Sequence, residues 1–220
     1  MISFVCVLFD GRDDVPEWSR VYDESWVEKL YRGIARNLGG LDFELVCLVD
    51  RRRQFTEPVR QVQLAMVQPN WTALMEAFRP ELGIERGFLL GLDTVIVGSL
   101  AQIVLYAGDF ALISDPYRPL QLCNGVTAFS ASGAARVWRA WESRGSKRFD
   151  LGHRNNPSEM VFMRETFPDA ERLDELYPGQ IVSYKCHVQE HGLGNARIVY
   201  LHGEPKQQQL TDAFVKEHWR

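Results

Sequence analysis

The sequence predicts an α/β fold: a mainly parallel central sheet flanked by helices within a single domain. Two observations carry most of that expectation. Apolar runs of strand length alternate with helical stretches through the first half of the chain, the pattern of strands joined by helical crossovers. Such sheets are covered on both faces, which suits strands as continuously apolar as these. The composition agrees: 220 residues, 45% hydrophobic and 25% charged, are enough for a sizeable core and exclude a disordered or collagenous chain.

Taken in order, Ile2 to Phe9 reads as a buried first strand. Ser25 to Leu38 reads as an amphipathic helix, with Trp26, Leu30, Ile34 and Leu38 on one face and Gly39-Gly40 as its stop. Phe43 to Val49 is a second strand, followed by Asp50 and the basic triplet Arg51-Arg52-Arg53. A weaker strand covers Val59 to Val67, and Trp71 to Phe78 is a short helix ended before Pro80. The apolar run Gly87 to Leu92 leads into Asp93-Thr94 and then Val95-Ile96-Val97. Further strands are expected at Phe110–Ile113, Gly125–Phe129, Ile181–Lys185 and Ile198–Leu201. Helices are expected at Ala134–Glu142, Glu159–Thr166 and Thr211–Arg220.

Charge and cysteine usage limit the function classes. Twenty-five Lys and Arg against 29 Asp and Glu leave a net charge of −4, which disfavours a general nucleic-acid coat protein. No apolar stretch is long enough for a membrane-spanning helix. The apolar opening lacks a basic leader and a small-residue cleavage pattern, so it reads as a strand and not a signal peptide. Cys6, Cys47, Cys123 and Cys186 form no CxxC, so neither a zinc nor a redox motif is supported, and a cytoplasmic location is expected.

In a mainly parallel sheet the ligand crevice lies at the carboxyl ends of the strands. The polar groups that follow the strands are Asp10-Gly11, Asp50, Asp93-Thr94, Asp115 and His202-Gly203. Asp93 stands out because a carboxylate at the end of a buried strand is costly unless paired or bound to a metal. Taken alone, such an Asp more often caps the next turn. His202 and Lys206 set an imidazole and an amine close together after the last strand, a combination suited to a cation and a diphosphate. Singly, each is more often a surface residue. Arg51-Arg52-Arg53, Lys147-Arg148 and Arg154 could meet phosphates or a polyanionic acceptor, although such runs are more often solvated. The tryptophans Trp18, Trp26, Trp71, Trp138, Trp141 and Trp219 are core residues by default, with Trp71 placed to stack on a sugar or base.

The segment Phe88-Leu89-Leu90-Gly91-Leu92-Asp93-Thr94-Val95-Ile96-Val97 resembles the strand and metal-binding DxD of GT-A-fold nucleotide-sugar glycosyltransferases, of the glycogenin and lipopolysaccharide galactosyltransferase type. Other segments resemble the same group in the right order, from Phe4-Val5-Cys6-Val7 through Leu30 to Leu38, Phe43 to Asp50, Phe78-Arg79-Pro80, Asn124-Gly125-Val126 and Tyr177 to Lys185 to Ala196 to Gly203. The resemblance implies a GT-A-like fold with a nucleotide-binding half at 1–100, an acceptor and sugar half at 101–206 and a tail at 207–220. It implies transfer of a sugar from a nucleotide-diphosphate donor to a hydroxyl acceptor (a glycan, lipid, protein or modified DNA base), assisted by Mn or Mg, with retention if the relatives are followed.

By that resemblance Asp93 and His202 are the metal ligands and Lys206 contacts the diphosphate. Asp50 holds the nucleoside together with the loop after the first strand. Asn124, Gly125 and Gly203 line the donor site, and Glu159 acts catalytically beside the sugar. The chain also departs from the pattern. Gly91 replaces the first carboxylate of the DxD, Leu74 replaces a lysine, and Ser158-Glu159 replaces an Asp-Gln pair. Glu159 has two readings, a carboxylate that stabilises an oxocarbenium-like transition state or one that only complements a helix N-terminus. The departures keep a second function open, a GT-A-fold module that binds nucleotide sugars or glycans without turnover. A nucleotidyltransferase ranks last, because Asp10-Gly11-Arg12-Asp13-Asp14 is not a Gly-rich phosphate loop.

Overall fold

The computed structural model of the chain describes all residues except 12–16, 18–19 and 145–157. Among these, a seven-stranded sheet forms the centre, in the order β3-β2-β1-β4-β7-β6-β8. Its first four members, β1 (Ile2–Leu8), β2 (Phe43–Val49), β3 (Val59–Gln63) and β4 (Arg86–Leu90), are mutually parallel. Next comes β7 (Arg118–Ser130), antiparallel to both β4 and β6 (Phe110–Asp115), while the two-residue β8 (Glu171–Arg172) runs parallel to β6. The predicted mainly parallel α/β sheet is therefore present, with one antiparallel strand inserted.

Side-chain alternation explains why these strands are apolar throughout. Phe4, Cys6 and Leu8 of β1, Leu45, Cys47 and Val49 of β2, and Phe88 and Leu90 of β4 enter one core. The intervening Val5, Val7, Val46, Leu48 and Leu89 enter a second core on the opposite face. Helix α1 (Glu24–Asn37) covers the first face through Trp26, Val27, Leu30 and Ile34. Asp23 caps it, accepting from the Ser25 amide at 2.9 Å. It ends where Gly39 and Gly40 take positive φ angles of 64° and 85°, which let the chain reverse into β2. The other face is covered by α2 (Ala131–Arg144), α3 (Glu159–Thr166) and the segment Trp71–Phe78. Burying each of the large apolar side chains contributes about 1.5–3 kcal/mol.

Several boundaries differ from those expected. Trp71–Phe78 is a short helix as expected, of 3-10 geometry and capped by Asn70, whose side chain accepts from the Thr72 amide. The expected strand at Gly125–Phe129 is the second half of the thirteen-residue β7. The third strand stops at Gln63, although Leu64 N still donates to Val49 O.

The segments 94–97, 181–185 and 198–201 do not join the central sheet. Thr94–Ile96 (β5), Ile181–Ser183 (β9) and Ile198–Tyr200 (β10) form a separate three-stranded sheet, with β10 in the middle. After Ser183 the chain turns into a π-helical segment, Tyr184–Val188, because the Ser183 hydroxyl caps the Cys186 amide. Two short helices, Leu173–Leu176 and Gln189–His191 (α4 and α5), precede the final one. That helix, α6 (Ala213–His218), is shorter than expected and packs Phe214 and Val215 against the small sheet.

Candidate functional site

The two sheets meet at Asp93, and their pairing explains which residues converge there. Strand β10 is antiparallel to β5, with Tyr200 opposite Thr94. Residues after Tyr200 therefore run beside residues before Thr94, and Leu201 N donates to the Asp93 carbonyl at 2.8 Å. This register carries His202, Gly203 and Lys206 to the end of β4. A cleft of about 250 Å³ opens at this point, walled by Phe9, Tyr22, Trp71, Leu74, Gly91 and Asp93 together with His202, Gly203 and Lys206. It lies at the carboxyl ends of β1 and β4, where an α/β sheet places its ligands.

The charge at its floor is organised tightly. Lys206 Nζ donates to Asp93 Oδ2 at 2.6 Å, and the lysine side chain is 1% exposed against 21% for Asp93. Tyr22, which precedes α1, donates its hydroxyl to the same carboxylate oxygen at 3.2 Å. Its ring centroid lies 5.1 Å from the ammonium, within cation–π range. Burial and the neighbouring Asp93 charge raise the Tyr22 phenol far above its ordinary value, so it stays a donor. His202 makes its hydrogen bond with the Ser183 hydroxyl, 2.9 Å from Nε2, and its ring packs edge-on to Tyr117. Burial lowers the imidazole's proton affinity, and the Lys185 charge lowers it further.

A divalent cation held by Asp93 and His202 does not fit this arrangement. One carboxylate oxygen already accepts from an ammonium and a phenol, His202 Nε2 is paired with Ser183, and Gly91 supplies no carboxylate. Among the described residues no three His, Cys, Asp or Glu side chains gather closely enough to hold a metal ion. Leu74, one of the departures noted in the sequence, presents an apolar wall to the cleft.

Asp50 lies in a second cluster, at the end of β2. Its Oδ2 accepts from Asp10 N at 2.9 Å and its Oδ1 from Arg53 Nη2 at 2.6 Å. Arg53 Nη2 also donates to Asp10 Oδ1 at 2.8 Å, and Arg51 Nε to Asp10 Oδ2 at 2.9 Å. The Arg51 guanidinium, reinforced by Arg53, holds the Asp10 carboxyl below its usual range. The basic triplet thus divides. Arg53, with 1% of its side chain exposed, is a structural cation joining the loops after β1 and β2, whereas Arg51 and Arg52 are exposed. Replacing Arg53 with Met should cost about 3 kcal/mol, since it leaves Asp50 without its cation, and thermal melts of the variant would register the loss.

Asn124 and Glu159 form a third cluster. In β7, Val126 pairs with Leu90, so Asn124 and Gly125 run past the end of β4. A Cβ on Gly125 would lie 3.4 Å from the Tyr200 ring, which itself neighbours His202. Asn124 Nδ2 donates to Glu159 Oε1 at 2.8 Å. Burial of the Glu159 carboxyl raises its pKa from 4.5 to about 7, and the Asn124 hydrogen bond only partly opposes this. Although Glu159 starts α3, it is turned inward and buried. These residues are not among the side chains that wall the Asp93 cleft.

Sequence reasoning thus reached Asp93, His202, Gly203 and Lys206 as one group but missed Tyr22, Ser183 and the burial of Arg53. A tyrosine before a helix and a serine ending a three-residue strand carry no local signal. Lys147-Arg148, Arg154, Trp18, the Asn156-Pro157 dipeptide and Arg12-Asp13-Asp14 lie outside the described residues. Trp26 and Trp141 are buried in the two cores, while Trp71 walls the cleft.

No protein-family model and no curated protein matches the chain. Solved structures do resemble it. The galactosyltransferase LgtC, in complex with donor and acceptor sugar analogues, aligns with a TM-score of 0.60 at 9% identity, over 93% of this chain and 88% of that one. The bifunctional glycosyltransferase WbbM aligns with a TM-score of 0.62 at 11% identity, over 94% of this chain and 46% of that one. GlyE of Streptococcus pneumoniae TIGR4 aligns with a TM-score of 0.63 at 10% identity, over 96% of this chain and 57% of that one. The chain thus spans most of LgtC but only about half of the other two. These likenesses show that the fold is the GT-A-like α/β fold of these glycosyltransferases.

Proposed function

We propose that the chain is a glycosyltransferase that moves a sugar from a nucleotide-diphosphate donor to a hydroxyl acceptor. The observation that carries this reading is the buried Lys206 at the floor of the cleft at the carboxyl ends of β1 and β4. In the reaction the bond from the anomeric carbon to the diphosphate oxygen breaks, a bond to the acceptor oxygen forms, and the acceptor's hydroxyl proton passes to the departing diphosphate. The departing diphosphate gains negative charge, which a fixed ammonium offsets without reorganising. Lys206 is assigned that task, and Asp93 and Tyr22 hold it in place. Trp71, which walls the cleft, is assigned to stack on a sugar or base, and Gly203, with φ 61°, lets the backbone turn between His202 and Lys206.

Glu159 and Asn124 are assigned to the sugar side. The resemblance sets Glu159 where relatives carry glutamine. A carboxyl with a pKa of about 7 supplies negative charge to an oxocarbenium-like centre once it is ionised. Asp50, with both oxygens engaged, is assigned to shaping the nucleoside loop around Asp10. The nucleotide-binding half is assigned to 1–100.

Calorimetry with a panel of nucleotide sugars, followed by chromatography for the released nucleoside diphosphate, tests the proposal. Donor binding with slow hydrolysis supports it, and the absence of any binding refutes it. The neutralised Asp93 and the uncharged Gly91 and Leu74 favour a second reading, a module that binds nucleotide sugars without turnover. Donor binding with no release and no transfer to any acceptor would select it. NMR of the product's anomeric proton would read retention or inversion.

A further inference from the structure

We infer that Lys206 takes the place of a divalent cation beside Asp93, so that the cleft binds a nucleoside diphosphate without metal. The inference rests on the donor reading above and assigns the charge that meets the diphosphate.

Three features of the site belong together. The ammonium of Lys206 lies 2.6 Å from Asp93 Oδ2, so this carboxylate oxygen already has a cation as its partner. The lysine is not a mobile surface group. It is 1% exposed, Tyr22 packs over it, and its backbone amide donates to Gln209 Oε1 at 2.6 Å. The third feature is Gly91. A Cβ built there would come 2.7 Å from Asp93 Oδ1, so any side chain at 91 would require the Asp93 carboxylate to shift from its present position.

The bare Gly91 and the ion pair therefore sit on the two oxygens of one carboxylate, Oδ1 beside Gly91 and Oδ2 on Lys206. With Gly91 the Asp93 carboxylate can settle over the backbone and face Lys206. With Asp at 91 the Asp93 carboxylate would have to shift, and two like charges would share the turn. A divalent ion on Asp93 would have to evict the ammonium or sit against it with like charge, and among the described residues no three His, Cys, Asp or Glu side chains gather to outweigh that repulsion. A lysine is instead a point charge well suited to phosphate oxygens.

The test is titration of the purified protein with UDP, GDP, CDP and ADP, once in excess EDTA and once with Mn2+. The expected result is that at least one diphosphate binds in EDTA and that Mn2+ leaves its affinity unchanged. Lys206→Met should then weaken binding in EDTA by about 100-fold, the loss of a buried charged partner. Binding that requires Mn2+ overturns the inference and leaves the donor reading standing. Binding in EDTA that Lys206→Met does not weaken, with the variant's melt showing a folded protein, also overturns it. If no diphosphate binds under either condition, the inference and the donor reading fall together.

Discussion

Asp93→Asn should lower both the stability of the chain and its transferase activity, and Lys206→Met introduced beside it should restore most of the stability. The two side chains are 113 residues apart in sequence and 2.6 Å apart in space. With Asn at 93, the ammonium of Lys206 stays buried without its counter-charge. Removing one partner of such a pair costs about 3–5 kcal/mol. The lower end applies here, because Asp93 is 21% exposed and water screens part of the pair. For a chain of this size, about 3 kcal/mol corresponds to a fall in melting temperature of roughly 10 °C. The double variant Asp93→Asn/Lys206→Met has no buried charge at that point and should be more stable than Asp93→Asn alone. Activity should be absent in Asp93→Asn, in Lys206→Met and in the double variant, since each lacks the cation, the group that holds it, or both. Additive losses of melting temperature in the double-mutant cycle would show that the ion pair is not energetically coupled.

The second large effect concerns Glu159 and pH. Its folded-state pKa, about 7, lies above the ordinary 4.5, so the folded chain holds a proton that the unfolded chain has released between those values. The wild-type protein keeps the full contribution of this group below about pH 4.5 and loses it as pH rises through about 7. The loss is at most about 3 kcal/mol, from 2.5 pH units at 1.36 kcal/mol each. Glu159→Gln keeps the amide oxygen available to Asn124 and removes the ionisation. The variant should therefore melt higher than wild type above about pH 7 and match it near pH 4.5. Melts across that range check the sign, and equal melting temperatures at every pH would refute the buried carboxyl. The transfer reaction separates the two roles of the residue. Catalysis by the ionised form makes wild-type kcat rise as pH passes about 7, with the variant low and flat. A purely structural carboxyl moves the melts and leaves the kcat profile alone.

The strands were legible because burial on both faces leaves a continuous apolar run, as in Val5 to Leu8 and Leu45 to Val49. Helix α1 was legible from its spacing and from Gly39-Gly40. The 3-10 geometry of Trp71–Phe78 was not, since an apolar segment of that length looks alike in either helix. The small sheet was not legible either. Thr94–Ile96, Ile181–Ser183 and Ile198–Tyr200 have strand composition, but their pairing partners are set by long-range packing.

The amino-acid sequence on its own determined the alternating α/β plan, the strand-end position of Asp50 and Asp93, and the lack of a carboxylate at Gly91. All of these follow from local hydrophobic pattern and residue identity, which need no knowledge of distant contacts. Tertiary structure alone decided that Lys206 pairs with Asp93, that Tyr22 and Ser183 position the cleft's polar groups, that Arg53 is buried, and that Glu159 faces Asn124. Those outcomes depend on register between strands far apart in the chain and on the solvent each charge loses there, and neither is written in any local stretch of residues.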